Sequence, residues 1–371
     1  MVVSVVFVFC ASFILSVMMI PLIMRISKRH ALYDGIDDRT IHNKKISRLG
    51  GFAIFAGFFI TFWVFNIPAH VHGFSTAYFV AGMGIAFLTG FIDDLVCIRA
   101  RYKLVMQILA GICVAMSGLK IDTIVLHNAH AIHLGALSGV ITVCWVVVFM
   151  NAINLIDGMD GLASGIVFIA NIFIFIIAIA LNNTLVALLT VCASGSILGF
   201  YIYNYPPAKI FMGDGGAYFL GYLYATISLM GMAKKSVAVL FLVPIILLLI
   251  PLTDIVQVVI TRMRRGTGIF IPDQNHLHHR LMRLGYSTRG VLVVMYCCSI
   301  ILGIASLIMF ESPAQSLNIF AIIVMLVLLL AYILGHAERV AAVRKSNAAD
   351  KGGKEGVVYG FPHGISMRKI D

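Results

Sequence analysis

Residues 137–181 read LSGVITVCWVVVFMNAINLIDGMDGLASGIVFIANIFIFIIAIAL, which is two apolar runs separated by a short polar motif. Each run is long enough to cross the ~30 Å hydrocarbon core of a bilayer as an α-helix that rises ~1.5 Å per residue. The motif between them holds asparagine, aspartate and glycine, and acidic side chains are costly at membrane depth. The stretch therefore predicts two membrane-spanning helices that meet at a polar turn near the membrane surface.

The composition extends this prediction to the whole chain. Of 371 residues, 61% are hydrophobic and 12% are charged, against roughly half and a quarter in soluble domains. A soluble fold of this size could not bury so much apolar surface, so most of it must face a lipid bilayer. The net charge of +11 indicates membrane orientation here rather than a nucleic-acid partner. Collagen, a disordered chain and a disulfide scaffold are excluded.

Eleven apolar stretches are predicted to span the membrane, which makes the fold an all-α polytopic membrane protein of about eleven transmembrane helices. The predicted spans are residues 2–24, 49–68, 75–92, 104–119, 137–153, 162–181, 185–203, 216–232, 236–258, 290–310 and 317–336. Residues 1–336 form a single transmembrane domain. Residues 337–371 are expected to be a flexible tail, because they are largely polar and glycine-rich.

The basic residues predict how the chain is oriented. The loops at 25–48, 93–103, 154–161, 204–215 and 259–289, together with the tail, hold 24 of the 27 lysines and arginines. The opposite loops hold only Lys120, Lys234 and Lys235. Basic loops stay in the cytoplasm. The N-terminus is therefore predicted to lie outside, and the C-terminus in the cytoplasm.

Glycine-flanked acids lie at the predicted cytoplasmic ends of the spans. The first group is Asp93 and Asp94 in GFIDD. Adjacent carboxylates repel each other, which is tolerable beside a divalent cation or a cationic group of a ligand. The alternative is a solvated helix cap.

The second group is Asn151, Asn154, Asp157 and Asp160, with a polar residue at every third position. This spacing favours a 3₁₀-like segment, which would stack the four side chains on one face, whereas an α-helix would rotate them apart. The alternative is a helix turn capped by its own Asn and Asp side chains.

The third group is the segment NYPPAKIFMGDGG at 204–216, in which Pro206 and Pro207 end one helix and a new helix follows Asp214. Such a turn can offer backbone N–H groups and a carboxylate to a metal-bound phosphate, although GDGG alone is a common turn. The fourth group is PDQNHLHHR at 272–280, in the most basic internal loop. Its histidines and arginine suit an anionic phosphate; zinc binding and a membrane-surface loop are the alternatives.

Five motifs in order resemble the polyprenyl-phosphate N-acetylhexosamine-1-phosphate transferase superfamily. They are RLGG at 48–51, the aspartate pair at 93–94, NAINLIDGMDGLASG at 151–165, FMGDGG at 211–216 and HLHHR at 276–280. The form of the last motif looks most like the branch that acts on UDP-GlcNAc and undecaprenyl phosphate. Ser47 stands where the family often has proline.

The resemblance implies transfer of GlcNAc-1-phosphate from UDP-GlcNAc to undecaprenyl phosphate, which gives undecaprenyl-diphosphate-GlcNAc and UMP and starts a cell-surface glycan. Residues 1–336 would then be the catalytic domain, in the bacterial inner membrane with its active-site cleft on the cytoplasmic face. The implied cofactor is Mg²⁺, which Mn²⁺ can replace. The sugar, the downstream glycan (O-antigen or another) and the oligomeric state, a homodimer included, are left open.

The resemblance also implies roles for single residues. Asn154 and Asp214 would bind the metal, and Asp93, Asp94 and Asp157 would form the catalytic group, with Asp93 activating or positioning the lipid phosphate. The implied substrate-binding residues are Lys44, Arg48, Asn151, Asp160, Asn204, Phe211, His276, His278, His279 and Arg280.

A secondary transporter is the competing class, since transporters also use intramembrane acids and broken helices. Its acids would lie near the middle of the bilayer, and its halves would often repeat. The acids here lie at the ends of spans, and no internal repeat is visible.

Overall fold

The computed structural model describes residues 2–32, 46–71, 73–125, 131–232, 249, 277–312, 315, 318–329 and 333. Eleven helices are found in these ranges. They are α1 (Val2–His30), α2 (Gly50–Val64), α3 (Thr76–Val96), α4 (Ala100–Ser117), α5 (Leu137–Ile156), α6 (Leu162–Ala180), α7 (Thr184–Asn204), α8 (Gly213–Met232), α9 (Leu277–Arg283), α10 (Thr288–Glu311) and α11 (Asn318–Leu329).

Two smaller elements join the helices. A 3₁₀ turn, Ile67–His70, follows α2. An antiparallel ribbon of β1 (Thr123–Val125) and β2 (Ala131–His133) connects α4 to α5, with Ile124 opposite Ile132.

Seven of the described helices, namely α1, α3, α4, α5, α6, α7 and α10, are long and apolar enough to cross a membrane. This confirms the prediction of an α-helical polytopic membrane protein. Ten of the eleven predicted spans overlap a described helix. The ninth, at 236–258, falls almost wholly outside the described residues, as does the tail at 337–371. The count of eleven and the orientation therefore stay predictions.

The burial of the helices identifies which of them form the centre of the bundle. In α7, 83% of an 18-residue apolar stretch is buried inside the protein, against 28% of the corresponding stretches in α1 and α4. Helix α7 packs against α1, α2 and α6. Gly195 and Gly199 of α7 lie against Ser12 and Ser16 of α1, where a Cβ atom would have no room. Small residues on both sides thus let the two helix backbones approach closely.

Glycines also bring the functional motifs together at one end of the bundle, where α3 and α5 finish and α2 and α8 begin; we call this the motif end. Helix α8 packs against α3 and α5. A Cβ atom at Gly90 of α3 would overlap the backbone of Asp214 and Gly215, and one at Gly51 of α2 would overlap the backbone of Gly216. Because these positions are glycine, three helix ends meet around Asp214.

Candidate active site

Asp214 is in the first turn of α8 and has polar partners from two other helices. Its Oδ1 atom accepts a hydrogen bond from Asn154 Nδ2 at 2.8 Å. Its Oδ2 atom lies 3.1 Å from Lys103 Nζ, and the same Nζ lies 2.7 Å from Asp93 Oδ2. One ammonium group therefore links two carboxylates. The three side chains are 12–24% exposed, so the cluster can be reached from outside the protein.

Asp94 points toward the beginning of α8. Its Oδ1 accepts from the backbone N–H of Asp214 at 2.8 Å, and its Oδ2 accepts from that of Gly215 at 3.0 Å. A carboxylate at this place satisfies two amides that no helical bond can satisfy and interacts well with the helix dipole. Of the adjacent pair, Asp93 is therefore the residue in contact with Lys103, and Asp94 holds Asp214 in position.

Asp157 follows the last residue of α5 and completes the acidic group. Its carboxylate accepts a hydrogen bond from the backbone of Gly213, and Arg48, Asp94 and Asp214 are its charged neighbours. Burial of the carboxyl group, followed by the negative charges of Asp214 and Asp94, raises the pKa of Asp157 well above its usual range. Arg48 partly opposes this rise. A further cation would therefore stabilise the group.

Asn151 belongs to a buried hydrogen-bond network that reaches Asp214. Asn151 Nδ2 donates to Gln107 Oε1 at 2.8 Å and to the Val147 carbonyl at 2.7 Å. Gln107 also bonds to the Tyr218 hydroxyl, which reaches Asp214. Gln107 and Tyr218 are 2% and 3% exposed. The structure thus gives Asn151 a place in a buried network that ends at Asp214.

Asp160 and Asn204 hold two motif loops together. Asp160 Oδ2 accepts from the Ala208 amide at 2.9 Å. Asn204 Oδ1 accepts from the Gly161 amide at 3.0 Å and from Ser164 Oγ at 2.9 Å. Both side chains are buried. They fix the turn after α5 against the loop between α7 and α8.

The expected 3₁₀-like segment is wrong. Helix α5 stays α-helical through Ile156, and a turn follows at 157–161. The four polar residues accordingly point to different partners: Asn151 to Gln107, Asn154 to Asp214, Asp157 to Gly213 and Asp160 to Ala208.

The RLGG motif pairs with the segment that leads into α8. The Gly50 amide donates to the Phe211 carbonyl at 2.9 Å, and the Gly51 amide donates to the Met212 carbonyl at 2.7 Å. In return, the Phe211 amide donates to the Ser47 carbonyl at 2.8 Å. The Ser47 hydroxyl bonds to that of Ser27 at 2.8 Å, which ties this segment to α1. Arg48 and Phe211 are thereby held close to Asp214.

Part of the predicted site falls outside these observations. Lys44 and His276 are not among the described residues, and the helix α9 is described at His278 and His279 without their side chains. Among the histidines and arginine predicted to bind phosphate at 276–280, Arg280 is the one whose side chain is described, and it is partly buried. Within the described ranges, no group of three His, Cys, Asp or Glu side chains could hold a metal ion by itself.

Sequence reasoning missed Lys103, Gln107 and Tyr218. In the sequence, Lys103 belongs to the basic residues that predict orientation, and it lies in the first turn of α4 at the edge of an apolar run. Charged side chains in membrane proteins pair with one another or with backbone carbonyls when they are buried, so a lysine at this place was the available signal. Gln107, one turn further along the same helix, is a second polar residue on that face.

Comparison with known proteins identifies the family. Residues 76–232, from α3 to α8, match the glycosyl transferase family 4. Over 326 residues, the chain is 34% identical to a probable undecaprenyl-phosphate N-acetylglucosaminyl 1-phosphate transferase of Bacillus subtilis, with 88% of this chain and 90% of the relative covered. The chain belongs to the polyprenyl-phosphate N-acetylhexosamine-1-phosphate transferase superfamily. The predicted family is confirmed.

Two further relatives agree with this placement of the transferase. The chain is 32% identical to a decaprenyl-phosphate N-acetylglucosaminephosphotransferase of Mycobacterium tuberculosis, over 70% of this chain and 71% of the relative. It is 26% identical to an undecaprenyl-phosphate alpha-N-acetylglucosaminyl 1-phosphate transferase of Escherichia coli, over 73% and 74%. The transferase is an enzyme of the glycosyl-1-phosphate transferase type in a multi-pass membrane fold, which sets the transporter alternative aside.

Proposed function

We propose that the transferase moves GlcNAc-1-phosphate from UDP-GlcNAc to undecaprenyl phosphate and releases UMP. An oxygen of the lipid phosphate attacks the sugar-bearing phosphorus, and the bond from that phosphorus to the oxygen of the leaving UMP breaks. The observation that carries the proposal is the accessible cluster of Asp93, Lys103, Asn154 and Asp214 at one end of a membrane bundle. The names of the relatives support the substrates. Another UDP-N-acetylhexosamine is the alternative donor.

The cluster fits a divalent cation held by Asn154 and Asp214. Their paired side-chain atoms are 2.8 Å apart, and adjacent oxygen ligands of octahedral Mg²⁺, at 2.0–2.1 Å from the metal, are separated by about 2.8–3.0 Å. The O and N atoms of an amide are assigned from its hydrogen bonds, so a half-turn of the Asn154 amide would present two oxygens. Mg²⁺ or Mn²⁺ bound there would neutralise the charge of the diphosphate.

Asp93 and Lys103 are suited to the lipid phosphate. A phosphate monoester has its second pKa near 6 and is largely dianionic at neutral pH, so it needs orientation more than deprotonation. The Asp93 carboxylate is fixed by the Ile98 amide at 2.7 Å and by Lys103. The Lys103 ammonium group has three N–H donors, so it can donate to phosphate oxygens while Asp93 continues to hold it in place.

A groove between α4 and α5 suits the prenyl chain of the acceptor. It has a volume of about 770 Å³ and is lined almost entirely by apolar side chains, from Leu104 to Met116 on α4 and from Gly139 to Val148 on α5. Leu104 is the neighbour of Lys103, so the groove begins beside the proposed phosphate position. It extends roughly 18 Å along α4, at 1.5 Å per residue, and Lys120 lies at the far end.

The proposed orientation has the motif end in the cytoplasm of a bacterium, at the inner membrane, where UDP-sugars are made available. The distribution of basic residues supports it, because Lys103, Arg99 and Arg101 are at the motif end and Lys120 is at the other end of α4.

Exchange of labelled UMP into UDP-GlcNAc tests the reaction with purified protein. We expect exchange only when undecaprenyl phosphate and Mg²⁺ are both present, because the reaction is a reversible exchange of one phosphoanhydride for another. Each UDP-N-acetylhexosamine is assayed in parallel, and the one with the highest kcat/KM is the donor. Exchange without lipid phosphate would instead indicate a covalent intermediate on the enzyme, and no exchange with any donor would overturn the proposal.

A further inference from the structure

Tyr296 of α10 contacts the turn between α5 and α6, although it is 135 residues away in the sequence. Its hydroxyl donates to the Gly161 carbonyl at 2.5 Å and lies 3.2 Å from the Tyr201 hydroxyl. The Gly161 amide is in turn held by Asn204 at 3.0 Å. Gly161 has a positive φ of 74°, a conformation that glycine adopts without strain. Both backbone polar groups of this residue are thus fixed by side chains from other helices.

The sequence leaves space for this contact. Gly165 is one helical turn beyond Gly161, so both face the same side of α6. A Cβ atom at Gly165 would overlap the hydroxyl and the ring of Tyr296. Glycine at both positions therefore lets the tyrosine reach the backbone of the turn, and any larger residue at 165 would push it away.

Helix α10 makes a second contact with the motif loops. The Arg289 guanidinium lies 5.9 Å from the centre of the Tyr205 ring, and Tyr205 begins the loop between α7 and α8. Tyr205 also packs against Tyr201, with ring centres 5.8 Å apart. Through Arg289 and Tyr296, the first half of α10 is therefore in contact with both loops that Asp160 and Asn204 hold together.

We propose that Tyr296 is a positioning residue for the sugar-nucleotide donor. It fixes the turn at 157–161, which carries Asp157 and Asp160, and it does so without contact to the substrate. The inference rests on the proposed function, which gives Asp93, Lys103 and the α4–α5 groove to the acceptor. The donor is then left with the turn at 157–161, where Asp157 accepts from Gly213 beside the proposed metal ligand Asp214. The acceptor meets Asp93, Lys103 and the α4–α5 groove, none of which Tyr296 contacts. Loss of its hydroxyl should affect the donor alone.

The test compares Tyr296→Phe with Tyr224→Phe in the full-length protein. Tyr224 is a matched control, because its hydroxyl also donates to a carbonyl of α6, that of Val167, at 2.7 Å. Val167 lies inside α6 and outside the turn at 157–161. Each variant keeps its ring and loses one hydrogen bond. For Tyr296→Phe we expect the KM for UDP-GlcNAc to rise about three- to tenfold, with the KM for undecaprenyl phosphate unchanged. For Tyr224→Phe both KM values should stay at the wild-type level.

Gly165→Ala provides an independent variant, since its methyl group displaces Tyr296 while leaving the hydroxyl intact. It should reproduce the donor-specific rise in KM. Equal behaviour of Tyr296→Phe and Tyr224→Phe, or an equal rise in both KM values for Tyr296→Phe, overturns the inference. Those results would leave the proposed function standing, because the wild-type protein would still exchange UMP. An inactive wild-type protein would contradict the proposed function itself.

Discussion

Lys103 decides the charge balance of the site at the scale of single residues. Asp214 has the carboxyl group of Asp157 near it, and it shares the Lys103 ammonium group with Asp93. Such a cluster is stable only while cations compensate it. The sequence predicts that a divalent cation or a cationic group of a ligand makes the aspartate pair tolerable, with a solvated helix cap as the alternative, and the family resemblance implies Asn154 and Asp214 as metal ligands. The sequence could not show that a lysine from the next helix provides the charge, because the contact depends on how α3, α4 and α8 pack.

Replacement of Lys103 by methionine should separate these effects. Methionine keeps the length of the apolar stem and removes the positive charge. Since that charge repels a divalent cation at Asp214, the half-saturating Mg²⁺ concentration should fall by roughly tenfold, while kcat falls by about tenfold or more. The measurement is the UMP exchange rate against Mg²⁺ concentration.

Lys120→Met is the matched control for this prediction, because it removes a lysine from the opposite end of α4. It should leave the Mg²⁺ dependence as in the wild type. A Lys103→Met enzyme that requires more Mg²⁺ than the wild type would show that Lys103 and the metal do not share Asp214.

At the scale of helices, the sequence predicts the spans well and the helix ends and contact faces less well. The predicted spans coincide with helices because apolar length is a property of the sequence alone. The ends differ: α1 continues beyond the predicted residue 24 to His30, and α8 includes Gly213 and Asp214 in its first turn. The polar row at 151–160 follows the helix until the glycines interrupt it, so its spacing did not reveal its four separate partners. Those partners come from other helices, and no local pattern encodes them.

The groove between α4 and α5 can be tested by filling it. Gly139 lines the groove, and a Cβ atom there would meet no atom within 4 Å. Leucine at 139 would therefore occupy the groove without disturbing the fold. We expect the KM for undecaprenyl phosphate to rise at least about fivefold, which corresponds to about 1 kcal/mol of lost apolar contact. The KM for UDP-GlcNAc should not change.

Gly84→Leu is the control, since Gly84 is also a helical glycine with open space around it, on α3 outside the groove. An acceptor with a shortened prenyl chain, too short to reach residue 139, should be insensitive to Gly139→Leu. If both leucine variants raise the acceptor KM equally, the chain does not occupy this groove.

Orientation is a property of the whole molecule, and the sequence predicts it from the count of basic residues on each side. The contacts between the helices are the same whichever end of the bundle faces the cytoplasm. Natural Cys97 offers a direct measurement, because it is exposed at the end of α3 beside the active-site cluster. In the proposed orientation, a membrane-impermeant thiol reagent should label it in inverted vesicles and not in intact cells.

The opposite end is measured with Lys120→Cys in a Cys97→Ser background, as Lys120 is exposed at the other end of α4. This cysteine should be labelled in intact cells. Mass spectrometry of the labelled peptides distinguishes the two sites from the remaining cysteines. The reverse pattern would contradict the predicted orientation and place the UDP-sugar site outside the cell.

The ion pair between Asp93 and Lys103 also bears on how the chain enters the membrane during synthesis. The two residues are ten positions apart on consecutive helices, and their charged atoms are 2.7 Å apart. A charged side chain opposes insertion of a helix by the translocon, and a neutral pair opposes it less. The hairpin of α3 and α4 thus carries its own counter-ion at the motif end. Asp214 is synthesised more than a hundred residues later. The active site is therefore completed only when α8 has been synthesised and packs against an ion pair that has already formed.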